Sequence, residues 1–422
     1  MKMTFLASLL LLFFVGAQAQ DRFDSLKQYL DKTLPDSVYF KALNDLSFQY
    51  AFVNSDSNKY YAYRYITAAQ DAQNLKEESN GWSNLAVGYA VSGESLDSSI
   101  ALFERSLKIR LSVPNVTNER IADSYNNLGQ AYFLKGDYTN AVKYYELARP
   151  IQEKYSNLQG LAHVYANLGL VYKFQGNVVK SLERYQQALD IETKRGDRVS
   201  MAGTLSMMAN LEKSESNPEV AMRHYRQAEK VFDSLGNYPK LSEIYLGIAE
   251  IHKGYKDYDS AKYYCRKSYL LHDEPFSYLE MSEICKIQNQ PDSVRYYVEM
   301  ALKMTEGNDR HTRALRTVLV IAAGLDMDEG KWQEALPRAQ RAYKLAKETD
   351  DFQNIQNAAR ILAQIYAIKE EYKEAFNYQK IYHQVKDSLF NAENIKAFTR
   401  LESEYAFEKE RQQSESEKML LK

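Results

Sequence analysis

Three asparagines have the residue type and the sequence context of a recurring binding surface. Asn84, Asn127 and Asn167 each come directly before a Leu and a small residue. The amide of Asn offers one acceptor and two donor hydrogens, so it can hold a peptide group without contacting that residue's side chain. The alternative, that Asn merely tolerates an exposed position or caps the local backbone, fits the sequence equally well.

Three lysines form a second regular set. Lys173, Lys213 and Lys253 are spaced by forty residues. In a repeat of that length they occupy the same helix position and predict a basic stripe that attracts an acidic partner. Two other interpretations stay open: the amines are solvated, or they pair with nearby carboxylates such as Glu212 and Glu250.

The sequence contains no recognisable catalytic motif. It has neither a phosphate-binding glycine loop nor a nucleophile motif between strand and helix, and its six histidines lack metal-ligand spacing. We therefore predict that the protein is not an enzyme and uses no metal or cofactor. Cys265 and Cys285 fall at apolar positions of predicted helices, which favours buried thiols, with a single disulfide between adjacent helices as the alternative.

Composition favours a long helical chain over compact β structure. The 422 residues include only 17 Gly and 8 Pro, so few turns are available. With 45% hydrophobic and 26% charged residues, the chain can bury a core, which excludes intrinsic disorder. The formal net charge of -2 provides no overall basic field for binding nucleic acid or an anionic membrane.

A forty-residue repeat organises most of the chain. Its clearest copy combines glycines, aromatic residues and alanines in fixed register: Gly129, Tyr132, Gly136, Ala141, Tyr145 and Ala148. The same frame returns as Gly169, Tyr172, Gly176, Ser181, Tyr185 and Ala188, and two further copies follow. Less regular copies are anchored at the position of Ala141 by Tyr60, Ser99, Ser293, Ala335 and Ala375. The sequence therefore predicts about nine units.

Each unit is predicted to be a pair of helices. The spacings of three and four between small and aromatic residues place them on one helix face, and Gly136-Asp137 supplies the turn. Two helices approach closely only where a small residue replaces a bulky one, and the aromatic ring then fills the space beside it.

These residues resemble the tetratricopeptide repeat family, in its longer variant of about forty residues, over residues 36–388. The resemblance implies an all-α, right-handed α-solenoid of antiparallel helix pairs, whose first helices line a concave surface. It further implies that Asn84, Asn127 and Asn167 hold a peptide backbone there. With the stripe of Lys173, Lys213 and Lys253, the expected partner is a protein or peptide carrying acidic residues.

The two ends of the chain carry separate predictions. Residues 1–19 resemble a signal peptide cleaved after Ala19, which predicts a periplasmic or secreted protein, with an uncleaved anchor as the alternative. Residues 20–35 are expected to form an N-terminal capping helix. Residues 389–422 are predicted to form a helix that caps the array and then continues, exposed and with the charge pattern of a coiled coil.

The C-terminal stretch also resembles a known junction. The segments DSLFN (387–391), ESEY (402–405) and EKER (408–411) are similar to the junction helix of bacterial extracytoplasmic tetratricopeptide sensors. That resemblance implies the sensory or partner-binding part of a signalling system, in which only a downstream segment would span the membrane. A stand-alone periplasmic or secreted assembly scaffold is the alternative, and the oligomeric state is left open.

Overall fold

The computed structural model describes residues 23, 25–30, 35–113, 117–215, 217–272, 275–306, 312–348 and 351–387. The predicted signal peptide and the predicted helix 389–422 lie outside these ranges. Within the predicted capping helix 20–35, residues 25–27 are helical and are followed by a 3-10 turn, Gln28–Leu30. The ring of Phe23 is buried and stacks on Tyr50, with ring centroids 4.3 Å apart.

The described residues form helices and turns, and these ranges contain no strand. The helices are α1 (Asp36–Tyr50), α2 (Ser55–Asp71), α3 (Leu75–Ser92), α4 (Leu96–Ser112), α5 (Asn118–Lys135), α6 (Tyr138–Lys154), α7 (Leu158–Phe174), α8 (Val178–Arg195), α9 (Arg198–Ser214), α10 (Pro218–Ser234), α11 (Tyr238–Gly254), α12 (Tyr258–Leu271), α13 (Pro275–Ile287), α14 (Pro291–Thr305), α15 (Thr312–Asp328), α16 (Trp332–Lys347), α17 (Phe352–Ile368) and α18 (372–387).

Each odd-numbered helix packs antiparallel against the even-numbered helix that follows it. In the last pair, α17 and α18, the rings of Tyr366 and Tyr378 stack with centroids 5.6 Å apart. The described residues thus hold nine helix pairs, α1/α2 to α17/α18. The predicted all-α fold of consecutive helix pairs is confirmed.

The helix pairs fall into two compact units, with the division between Thr204 and Leu205 inside α9. The first unit contains α1 to α8 and the beginning of α9. The second contains the rest of α9 and continues to α18. Each unit has its own buried clusters of apolar side chains, around Tyr145 in the first and around Leu319 in the second.

The turn inside a helix pair depends on two adjacent residues. Gly136 has a φ of +85°, a left-handed conformation that residues with a Cβ atom rarely adopt. Asp137 then caps α6, because its carboxylate accepts a hydrogen bond from the backbone N–H of Asn140 at 3.0 Å. The pair Gly176 and Asn177 repeats the arrangement at the start of α8. The predicted turn at Gly136-Asp137 is confirmed.

Small residues allow the two helices of a pair to approach, as the repeat pattern predicts. Ala141 is fully buried. A Cβ atom on Gly129 would lie 2.8 Å from the ring of Tyr145, and one on Gly169 would lie 2.6 Å from the ring of Tyr185. In both pairs the tyrosine ring therefore occupies the space that the glycine leaves free.

Two of the predicted repeat anchors are wrong. Tyr60 is 59% exposed, and the fourth residue of α2, Asn58, takes the buried position instead. In α14 the buried residue is Val294 and not Ser293, because that helix begins at Pro291. Asn58 fits because its amide donates to the backbone carbonyls of two neighbouring helices, a polar solution that the small-residue pattern does not reveal.

No helix in the described part of the chain combines the length and the apolar character needed to cross a membrane.

Candidate binding site

The predicted peptide-holding asparagines differ in what their side chains contact. Asn84, in α3, is 7% exposed, and its amide nitrogen lies 2.8 Å from the hydroxyl of Ser47 and 3.0 Å from the side-chain oxygen of Asn44. Its donor hydrogens are therefore engaged inside the fold. Asn127 and Asn167 are half-buried, and Asn167 donates to the side chain of Asn126 at 3.1 Å. A peptide-binding role for the three stays a prediction.

Two of the three predicted lysines pair with carboxylates of the next helix pair. Lys213 of α9 contacts Glu250 of α11. Lys253 of α11 lies 2.8 Å from Glu280 and 3.0 Å from Glu283, both on α13. The structure favours the interpretation in which local carboxylates neutralise these amines. Lys173, in the first compact unit, is half-buried.

The pairing at Lys253 has a clear electrostatic signature. Burial works against its charged amine, but the hydrogen bonds and charges of Glu280 and Glu283 outweigh that effect and raise the pKa of Lys253. Burial raises the pKa of Glu280, although the adjacent Lys253 opposes the shift. The other carboxylate considered in the sequence, Glu212, lies 2.8 Å from the imidazole of His224 instead.

The second compact unit contains a cavity of about 820 Å³, within the range of ligand-binding pockets. Most of its wall comes from α11, α13, α15 and α17, which are the first helices of four successive pairs. The apolar part of the wall includes Leu246, Phe276, Leu279, Val320, Ile321 and Ile361. The cavity can accommodate apolar side chains of a partner.

Charged groups on the cavity wall are of two kinds. Glu250, Glu280 and Glu283 line the cavity but are already paired with the lysines described above. Among the described residues, the exposed Lys286 and Arg360 make no ion pair or hydrogen bond through their side chains.

Asp328, the last residue of α15, also lines the cavity. Its carboxylate makes no ion pair or hydrogen bond in the described part of the chain. Because Glu280 and Glu283 share the single amine of Lys253, one of these two carboxylates is also uncompensated. Among the described residues, the wall therefore has two uncompensated cations against two anions and no net charge.

Gly324 marks open space on the wall. A Cβ atom added at this helical residue would meet no atom within 4 Å, so a larger side chain could enter the cavity without a clash. Gly203, on α9 in the first compact unit, has equally open surroundings but does not line the cavity. The two glycines form a matched pair for testing whether the cavity binds anything.

Sequence reasoning missed this cavity because it followed the strict forty-residue register, which weakens after α12. The available signal was on α17, where Asn357, Arg360 and Gln364 recur at spacings of three and four on an otherwise apolar helix. Such spacing places three polar side chains on one helix face. Gly324 inside a helical stretch was a second signal, since Gly in a helix interior usually has a packing or functional reason.

The remaining reactive groups are the candidate metal ligands and the two thiols. In the described ranges no group of His, Cys, Asp and Glu side chains is placed to hold a metal ion. Cys265 and Cys285 are both buried and are not bridged. Burial raises the pKa of the Cys265 thiol, which lowers its reactivity.

Comparisons with known proteins match part of the repeat array to a family model. The family model described as tetratricopeptide repeat matches residues 77–154 and 120–194. No curated protein shows a significant match to the sequence.

Two solved structures share the fold at low sequence identity. The structure of a Rap protein complexed with Competence and Sporulation Factor is 14% identical, with a TM-score of 0.52, and the match covers 84% of this chain and 99% of that one. The apo form of RapI is 10% identical, with a TM-score of 0.53, over 83% of this chain and 98% of that one. At these identities the likeness concerns the fold alone.

Proposed function

We propose that the chain, in which residues 77–194 match the tetratricopeptide repeat model, is a non-enzymatic scaffold that binds a protein or peptide as the sensory or partner-binding part of a signalling system. The observation that supports this proposal is the cavity between α11, α13, α15 and α17. It combines an apolar wall with polar side chains that make no hydrogen bond or ion pair in the described part of the chain, a combination typical of a recognition site. The resemblance to that family implies that the first helix of each pair faces a ligand, and most of the cavity wall comes from such helices.

The proposal also places the protein outside the cytoplasm. It rests on the apolar run and the Ala17-Gln18-Ala19 sequence of the predicted signal peptide. Expression of the full chain in a Gram-negative host, followed by fractionation and intact-mass measurement, tests this part. We expect a periplasmic product that begins at Gln20, whereas a cytoplasmic product retaining residues 1–19 contradicts it.

Filling the cavity tests the binding function directly. The probe is a displayed library of random peptides, selected on the unmodified protein and then measured against the variant Gly324→Leu. Since Gly324 has open space before it, the leucine side chain should occupy the cavity and reduce peptide affinity by about tenfold or more, because the displaced contacts are apolar and buried.

Gly203→Leu is the matched control. It also replaces an unobstructed helical glycine by leucine, and both substitutions should stabilise their helices by up to about 1 kcal/mol. The control should therefore bind the selected peptides as the unmodified protein does. Equal binding by both variants, or a library that yields no peptide at all, overturns the assignment of the cavity as the binding site.

A further inference from the structure

We propose that Glu192 is a pH-dependent switch in the turn between α8 and α9: its neutral carboxyl keeps the turn packed, and its ionisation opens the turn locally. This turn lies in the first compact unit, whereas the cavity lies in the second, so the switch goes beyond the proposed binding function.

Three successive turns between helix pairs share one geometry. Gln152, Glu192 and Phe232 stand near the ends of α6, α8 and α10, and each of them is 2% exposed. In each turn the backbone carbonyl of that residue accepts a hydrogen bond from the N–H five residues later, at 2.9 to 3.0 Å. The residue therefore closes the turn with its backbone and fills it with its side chain. Among an amide, a carboxyl and a phenyl ring, the carboxyl alone can ionise.

The carboxyl of Glu192 has little to stabilise a negative charge. One oxygen accepts a hydrogen bond from the hydroxyl of Thr204, at the beginning of α9, at 3.1 Å. The other oxygen is buried and has no hydrogen-bond partner among the described residues. A buried carboxylate with a single hydrogen bond is unfavourable, so the neutral acid is the form that fits the closed turn.

The charged groups around the turn do not reverse the effect of burial, which raises the pKa of Glu192 to about 7. Asp197 disfavours the ionised carboxyl as well, and Arg195 favours it but lies 3.9 Å from Asp197. Asp197 is fixed by hydrogen bonds from the backbone N–H and the hydroxyl of Ser200. On α7, burial lowers the pKa of His163, which keeps this imidazole neutral at neutral pH. The closed turn therefore offers no full compensating charge.

The pH decides between the closed and the open turn. In the open turn the carboxyl meets water and ionises with its ordinary pKa of 4.5, whereas in the closed turn it stays neutral up to a pH of about 7. Below pH 4.5 it is protonated in both states, so the closed turn has its full stability. As the pH rises from 4.5 to about 7, the open turn becomes more favourable, and above that the effect levels off. The turn is thus closed in acid and loosened at neutral pH.

Hydrogen exchange at pH 5, 6, 7 and 8, corrected for the intrinsic exchange rate, measures this opening. In the unmodified protein the opening constant at the end of α8 and the beginning of α9 should rise about tenfold or more between pH 5 and pH 8, mostly below pH 7. Glu192→Gln should abolish the rise. Glu183→Gln changes an exposed carboxylate on the same helix, so this control should leave the rise unchanged.

Moving the carboxyl to the preceding turn gives an independent measurement. Gln152→Glu places it at the equivalent position of α6, where Val164 stands forty residues before Thr204 and can donate no hydrogen bond. The end of α6 and the beginning of α7 should then gain a pH-dependent opening that the unmodified protein does not show there. At pH 5 the added carboxyl is neutral in the closed turn, so the variant should fold.

Three results overturn the proposal. The first is an opening of the α8/α9 turn that keeps its pH dependence in Glu192→Gln. The second is a pH dependence spread evenly over α1 to α8, because Glu192 would then contribute to overall stability without opening the turn locally. The third is a Gln152→Glu variant that folds at pH 5 and whose α6/α7 turn opens to the same extent at pH 8.

Discussion

Tyr145 and Tyr185 occupy equivalent positions in neighbouring helix pairs, and both rings are buried. The hydroxyl of Tyr145 donates to the side-chain oxygen of Gln130 at 3.1 Å. Forty residues after Gln130 stands Leu170, which has no acceptor, and the hydroxyl of Tyr185 has no hydrogen-bond partner among the described residues. The same ring therefore fills the same space at two sites, with its polar group satisfied at only one.

This contrast predicts opposite effects for one substitution. Tyr145→Phe should destabilise its helix pair by about 1 kcal/mol, because Gln130 loses its partner inside the fold. Tyr185→Phe should be neutral or stabilising, since it removes a buried hydroxyl that nothing satisfies. Urea unfolding and the hydrogen exchange of α5 to α8 measure both. Equal destabilisation by the two variants contradicts the argument.

Glu192 provides a second comparison across the repeat. It is 2% exposed near the end of α8, and burial raises its pKa from 4.5 to about 7, although a hydrogen bond from Thr204 opposes the shift. The equivalent residue forty positions earlier is the neutral Gln152, which is also buried. An amide is thus compatible with this position of the repeat.

The raised pKa gives the stability of the fold a defined pH dependence. Below pH 4.5 the carboxyl is protonated whether the chain is folded or unfolded, so its contribution to stability is fully present. That contribution is lost as the pH rises through about 7, because the unfolded chain ionises first. Glu192→Gln should remove this dependence, stabilising the protein by up to about 3 kcal/mol at pH 8 and by much less at pH 5. Thermal unfolding at both pH values measures the difference, and a gain independent of pH contradicts it.

At the scale of the helix pair, one side-chain contact between the two helices differs in chemistry from pair to pair. The two residues are twelve apart, and in several pairs they are stacked rings, as in Tyr132 with Tyr144 and Tyr366 with Tyr378. In the α15/α16 pair the same positions hold Asp326 and the guanidinium of Arg338, 2.9 Å apart. The helix pair therefore accepts either a ring stack or an ion pair at this point.

The ion pair of α15/α16 should be essential because Asp326 is fully buried. Arg338 and Arg295 both contact it, and Arg295 also contacts the exposed Glu329 at 2.6 Å. Asp326→Asn should cost about 3 kcal/mol, since two guanidinium groups lose the charge that compensates them. Glu329→Gln breaks an ion pair to the same arginine in water and should cost far less. Chemical denaturation compares the two, and losses of similar size refute the role of burial.

At the scale of the whole molecule, the sequence predicts the architecture better than the site. The forty-residue register locates the helix pairs from Gly129 to Cys265, because close helix contact demands small residues at fixed positions. The register did not predict the buried Asn58, because its amide replaces the small residue and donates hydrogen bonds to neighbouring helices. The register did not predict the cavity either. Its wall joins four helices from pairs of unequal length. Sequence spacing does not reveal that Lys253 has two carboxylate partners, or that Arg360 has no partner among the described residues.

A repeat array divided into two compact units should respond locally to damage. Ala141 is fully buried in the first unit, so Ala141→Leu should cost about 1 to 3 kcal/mol through overpacking. Because each repeat contacts only its neighbours, hydrogen-exchange protection should fall first in α5 to α7 and persist in α13 to α17. Ala335→Leu, at the equivalent buried position of α16 in the second unit, should give the reverse pattern. A uniform loss of protection along the chain in both variants would mean that the array unfolds as one cooperative body, and neighbour contacts would then not account for its stability.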